Sequence, residues 1–237
     1  FTGDFIMNNL EIANDYEFQN SQFDGIFSCE KVKYVGYKAF ESSQFTGDFN
    51  CPNLQTVDYN AFRYSVFDGA FNCPNLQTVG INGVRNSVFT GDFNCPDLQA
   101  VGNEAFLNSK FNGAFEGANL TTVGHYAFRD SQFTGNLNLP KCTVIGDHAF
   151  RNSKFTGSLY LPICTKLGYD VFYNSNFSGD LYLPNCVYIS QNVFWKSNFT
   201  QITIGANATL GPGCIGAHDT EFIQDYADNG KLAGTYV

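Results

Sequence analysis

The triplet Phe-x-Gly returns every 22 residues, beginning at Phe1, Phe23, Phe45, Phe67, Phe89, Phe111, Phe133, Phe155 and Phe177, with a broken copy at Phe199. No residue is inserted or lost between copies. A fixed period of this size specifies stacked repeats, because one such unit cannot bury its apolar face alone and must lean on its neighbours. The length of 237 residues would otherwise suggest one or two domains. The repeat overrides that prior. It predicts a solenoid of nine repeats over 1–198, with 1–22 degenerate, and a capping segment over 199–237.

Numbering each unit from its Phe, positions 5 and 7 are apolar and positions 4 and 6 mostly polar, as in Phe45-Thr46-Gly47-Asp48-Phe49-Asn50-Cys51-Pro52. That alternation is a half-buried strand, so the solenoid is mainly β. Pro at position 8 (Pro52, Pro74, Pro96) ends the strand because it lacks an N–H. Gly at position 14 (Gly36, Gly80, Gly102, Gly124, Gly146, Gly168) is expected to supply a positive-φ turn. Ala-Phe at positions 17 and 18 suits one turn of helix or 3₁₀. Ser at position 21 is expected to bond a backbone group at the corner. Beyond the repeats, Asp219 as N-cap, Glu221 in the first turn and Asn229-Gly230 as the stop predict a helix, and 232–237 a final strand. Repeats seven to nine form a second subtype. Phe at position 5 becomes Leu137, Leu159 and Leu181, while Cys and Leu exchange between positions 7 and 10, so volume moves between slots without being lost.

That exchange also explains the eight cysteines. Cys29, Cys51, Cys73 and Cys95 share position 7, where other repeats carry Leu139, Leu161 and Leu183, and Cys142, Cys164 and Cys186 share position 10, where others carry Leu54, Leu76, Leu98 and Leu120. They read as free, buried thiols behaving as small hydrophobes, although neighbouring rungs put a bridge within reach. The cysteine pairs or histidine pairs of a zinc site are absent.

The net charge of −9 disfavours nucleic acid and anionic membranes, which require clustered Lys and Arg. No apolar run is long enough to span a bilayer. The chain begins inside a repeat, and we read it as a trimmed or mature fragment, so the missing signal peptide is uninformative. The first unit, with Ile6, Met7 and Ile12 outward, either caps the stack or packs on an upstream segment.

Units reading Phe133-Thr134-Gly135, Leu137-Asn138-Leu139-Pro140, Val144-Ile145-Gly146, Ala149-Phe150 and Ser153 resemble the BspA-type leucine-rich repeat family over about residues 23–198. The closing stretch Asn229-Gly230-Lys231 to Tyr236 also looks like tails that follow such repeats. Ser stands where that family usually has Cys, so no role of the corner Cys carries over. The resemblance implies a curved, right-handed, leucine-rich-repeat-like stack, with strands along one face, 3₁₀ or irregular turns opposite, and a small α/β cap. It also implies a secreted or cell-surface protein associated with adhesion to host or matrix proteins.

Chemistry is hard to place on such a chain. Asp4, Asp48, Asp92 and Asp180 share position 4 with Ile26, Ala70 and Ala114, and read as solvated acids. Asn50, Asn72, Asn94 and Asn138 suggest an amide ladder. His125 and His148, on adjacent rungs, read as exposed turn histidines. No catalytic constellation, metal set or cofactor site stands out. The outward aromatics Tyr160, Tyr182, Tyr169, Tyr173, Tyr188 and Trp195 mark the C-terminal third as the candidate binding face, suited to sugar stacking or a protein hot spot. The expected function is a non-enzymatic, monomeric, adhesin-like module binding a host or matrix protein or a glycan, without nucleic acid or membrane insertion. A structural spacer in a larger surface protein is the alternative, and a polysaccharide-acting β-helix enzyme a remote third.

Overall fold

The computed structural model describes residues 2–111, 115 and 117–236. The expectations placed on Phe1, Ala114 and Val237 lie outside the described residues. Each 22-residue unit makes one turn of a coil, and strands pair in parallel with the residue one period away, as in Phe27↔Phe49 and Phe49↔Phe71. Strands occupy three sides of the coil. One side carries positions 5 and 6, from Phe5–Ile6 to Phe93–Asn94 and again from Leu137–Asn138 to Gln201–Ile204. A second carries positions 12 and 13, from Ile12–Ala13 to Thr209–Leu210. A third, formed by positions 22 and 1, is strand-paired from Gln22–Phe23 to Val88–Phe89. The single strand face implied by the family resemblance is therefore corrected to three. Most of these strands are two residues long, because a corner follows almost at once.

The fourth side, positions 14 to 21, is neither helical nor 3₁₀. In the second turn the amides of Ala39, Glu41 and Ser43 each bond the carbonyl three residues back, closing linked turns. The alternate amides of Lys38, Phe40 and Ser42 donate instead to Tyr59, Ala61 and Arg63 on the next turn. This ribbon places positions 16 and 20 at positive φ in each of the nine turns, for example Asn82 at 56° and Asn86 at 56°. Asn and Asp are the side chains that tolerate that conformation best, and Asn dominates position 20.

The glycines at position 14 have a different cause from the one expected. None of them is at positive φ. A methyl placed on Gly102 would stand 2.8 Å from the carbonyl carbon of Gly80, and one on Gly146 would stand 2.5 Å from the amide nitrogen of His125. Close approach of successive backbones, not turn geometry, selects Gly there. The position-21 serines behave as predicted. Ser65, Ser87 and Ser109 are fully buried, and their hydroxyls donate at 2.6 Å to the position-18 carbonyls of Phe40, Phe62 and Val84 on the preceding turn. Ser131 has no such partner.

The core is built of aromatic columns. Phe23, Phe45, Phe67 and Phe89 stack at 4.6–4.9 Å along position 1. Phe27, Phe49 and Phe71 stack at 5.0 Å along position 5. Rings of neighbouring columns meet edge to face, as Phe49 and Phe62 do at 85°. All eight cysteines are buried and free.

Pairing continues past residue 198 at an offset of 21, with Ile202 opposite Leu181 and Thr209 opposite Tyr188. Helix α1 (Asp219–Asp228) then lies over the end of the stack with Phe222 and Tyr226 buried. Strand Gly234–Tyr236 returns antiparallel to Gln201–Ile204. The N-cap is His218, not Asp219, and it makes no side-chain cap bond. The Asp219 carboxylate instead accepts the amides of Gly213 and Ile215, both at 3.0 Å, tying the preceding loop. At the opposite end Ile6 and Ile12 are exposed.

Candidate binding surfaces

Period 2 sends position 5 inward and position 6 outward, so the side chains at position 6 form a column on the surface. Asn72 donates its amide to Asn50 at 2.8 Å there, the one bond of the expected Asn50–Asn72–Asn94–Asn138 ladder among the described residues. Two turns that carry Tyr in that column place Tyr160 and Tyr182 with centroids 4.9 Å apart and planes within 8°. Tyr160 is 41% exposed and Tyr182 37%. Each ring has one face against its neighbour, while the other looks along the column, towards Asn138 for Tyr160 and towards Thr203 for Tyr182. Against Tyr160, towards the preceding turn, lies a shallow pocket of about 300 Å³ formed with Asn136, Asn138 and Ser158. The side-chain oxygen of Asn136 accepts the Ser158 amide at 2.8 Å, which leaves its NH₂ facing out. The Asn138 side chain is exposed and bonds no protein group among the described residues.

The structure does not gather the other four candidates onto this surface. Tyr173 and Trp195, at position 19 of the turn side, lie parallel at 6.4 Å, with the Arg151 guanidinium 4.6 Å from the Tyr173 ring. Tyr169 stands at position 15, exposed, with its amide held by Asp147. Tyr188 is half-buried on the position-12 side under the Lys166 ammonium, 5.1 Å away. The six residues are three separate groups on three sides of the coil, because repeat position decides which side a residue takes.

Sequence reasoning missed a second aromatic group near the N-terminus. Tyr37 and Tyr59 share position 15 and stack at 5.4 Å within 3°, and Tyr16 meets Tyr37 edge-on at 5.2 Å. The signal was available in the shared position of Tyr37 and Tyr59. The arginines form another such column. All four in the chain, Arg63, Arg85, Arg129 and Arg151, fall at position 19. Each is paired with a carboxylate, of Glu41, Glu104, Asp130 and Asp170 respectively.

The polar columns that looked solvated are structural. Asp4 and Asp48 each accept the amide one turn on, of Ile26 at 3.0 Å and Ala70 at 2.8 Å. Position 15 repeats the device: Asn103 accepts the His125 amide, His125 Nδ1 accepts that of Asp147, and Asp147 accepts that of Tyr169, at 2.9–3.0 Å. His125 is thus the exposed turn histidine expected, with its ring tethered as an acceptor, whereas His148 is half-buried and not exposed. His148 stacks on Tyr126 at 4.8 Å and lies 3.6 Å from Asp170. Burial holds its pKa below the usual 6.5, with Arg151 adding to the effect and Asp170 opposing it. Among the described residues no three His, Cys, Asp or Glu side chains converge as a metal set. Burial pushes the Cys142 and Cys186 thiols up to about 12, so they are poor nucleophiles. Among the described residues no helix is long and apolar enough to cross a membrane.

A family model described as the BspA type leucine rich repeat region matches in six copies, covering residues 5–101 and 99–215. No curated protein and no solved structure matches the chain.

Proposed function

The chain belongs to the BspA-type leucine-rich repeat family, and from that premise we propose that it is a non-enzymatic, secreted or surface-displayed interaction module whose position-6 side binds a glycan. The observation that carries this reading is the exposed Tyr160 ring lining one pocket with the side chains of Asn136, Asn138 and Ser158. A pyranose ring offers C–H groups to an aromatic ring and hydroxyls to amides, so an exposed ring beside the exposed side chains of Asn136 and Asn138 suits it. The site is shallow, which favours weak binding to a chain of sugars that meets several turns in succession.

The test is binding of the intact chain to immobilised glycans, mucins and matrix proteins at about 100 μM, where even some −5 kcal/mol of affinity registers. A glycan hit lost in Tyr160→Ala supports the reading. A hit that Tyr160→Ala retains removes the site from this side.

A second reading, a rigid spacer within a larger surface protein, draws on the hydrogen bonding between turns on all four sides of the coil. A spacer tolerates Tyr160→Ala without consequence and responds only to the number of turns.

A further inference from the structure

At the C-terminal end a cleft of about 310 Å³ opens between the last turn of the stack and the cap. Its floor is aromatic and aliphatic, from Phe199, Ile202, Phe222 and Tyr236. Its polar groups are Glu221 and Asp225 on helix α1, together with His218, Thr200 and Gln201. Glu221 and Asp225 are four residues apart and so share a face of the helix. Neither Lys nor Arg lines the cleft. Among the described residues Asp225 has no hydrogen bond or ion pair from its side chain, and Glu221 has only His218 Nδ1 at 3.2 Å. The other two acids of the helix are engaged, Asp219 with loop amides and Asp228 with Gln224.

We propose that this cleft binds an alkylammonium group, presented by a lysine side chain or a free amine. Two carboxylates with one imidazole leave uncompensated negative charge over an apolar floor, which suits a cation carrying a hydrocarbon stem. Aromatic rings attract such a cation through their faces, and their area covers the methylenes. A bare metal ion fits less well, because among the described residues no three His, Cys, Asp or Glu side chains are arranged to hold one. The net charge of −9 adds a general attraction for cations, and the experiment must separate that from the site. The proposal is independent of the glycan reading, since the cleft and Tyr160 belong to different parts of the coil.

The test is titration of the intact chain with n-butylammonium, with n-butanol as the uncharged analogue, followed by NMR shifts of the Phe222 and Tyr236 rings. Nα-acetyl-lysine amide supplies the side-chain form. Butylammonium is expected to bind with Kd near 1 mM, to within about tenfold. Asp225→Asn, an exposed change at an unpartnered side chain, should weaken it roughly tenfold or more, the scale of one lost charged contact. Glu30→Gln, a distant exposed acid, should leave binding unchanged. If the lysine amide binds as butylammonium does, the site accepts side chains; if only butylammonium binds, it takes free amines. The proposal is overturned if Asp225→Asn and Glu30→Gln weaken binding equally, if butanol binds as well as butylammonium, or if ring shifts are absent at about 50 mM, far above the expected Kd.

Discussion

Turns two to five and turns seven to nine share a 22-residue period but fill it differently. In the earlier turns Phe columns at positions 1 and 5 wedge against each other and against the position-18 column, which is Phe except at Val84. Position-1 rings there stack at 4.6–4.9 Å, and the strands on that side pair from Gln22–Phe23 to Val88–Phe89. In the later turns Leu137, Leu159 and Leu181 replace the position-5 rings. The position-1 rings then separate to 6.1–6.4 Å, for Phe133–Phe155, Phe155–Phe177 and Phe177–Phe199. That side also stops pairing at positions 22 and 1, and its bonds move downstream, as in Ser178 N–H to Thr156 and Gly179 N–H to Gly157. The difference teaches that the period is held by backbone ladders on the other sides, while the interior is free to trade rings for branched chains. The turns that lost ring contacts inside are also those that carry Tyr160 and Tyr182 outside.

The largest test of this contrast is truncation of one core residue in each region. Phe71→Ala removes a fully buried ring with contacts above and below, and should cost about 3–5 kcal/mol by denaturant unfolding. Leu159→Ala should cost about 2–4 kcal/mol, since it forfeits no ring pair, and each such pair contributes roughly 0.5–1.5 kcal/mol beyond its area. A sharper version converts turn three to the later subtype with Phe49→Leu, Cys51→Leu and Leu54→Cys. The triple change should cost less than the sum of its single changes by about 0.5–3 kcal/mol, because the slots share one volume. Simple additivity would contradict the exchange of volume.

A smaller contrast lies at the corners. Ser87→Ala should cost about 1 kcal/mol through the lost bond to Phe62, whereas Ser131→Ala, which removes a hydroxyl without a partner, should be near neutral. Lys196 sits at φ 72° in the column where Asn predominates, and Lys196→Asn should raise stability by about 0.5–1 kcal/mol in the same unfolding assay. The smallest expected effect is with pH. His148 faces Tyr126, Asp147, Asp170, Arg129 and Arg151, and its folded pKa lies below the ordinary 6.5. The unfolded chain therefore takes the proton first. Stability is full above pH 6.5, declines as pH falls through it, and levels once the folded imidazole is also protonated. His148→Asn should flatten that part of the stability–pH profile.

Much of this was legible from repetition. The period set the stack, the alternation at positions 4 to 7 set which side chains are buried, and the exchange of Cys with Leu identified free core thiols. What escaped was angular. Sequence gives a residue its rung and its inward or outward sense, but not the side of the coil, so Tyr160, Tyr188 and Trp195 read as one patch and are three. The Gly at position 14 was misread because positive φ and close backbone approach leave the same mark in sequence. The bond that would distinguish them joins residues 22 apart. Asp219 carried a cap signature, yet loop amides at Gly213 and Ile215 claim its carboxylate, a competition visible only once the loop is folded.

The most direct measurement compares two in-phase deletions, 45–66 from the earlier region and 133–154 from the later one, by circular dichroism, thermal melting and glycan binding together. Because each removes one whole unit of 22 residues, both chains should keep a β spectrum and a cooperative melt. Only the second, which takes Asn136 and Asn138 from beside Tyr160, should lose the ligand. A deletion that unfolds the chain would contradict the repeat as the unit of structure, and equal binding by both chains would contradict the assignment of the site.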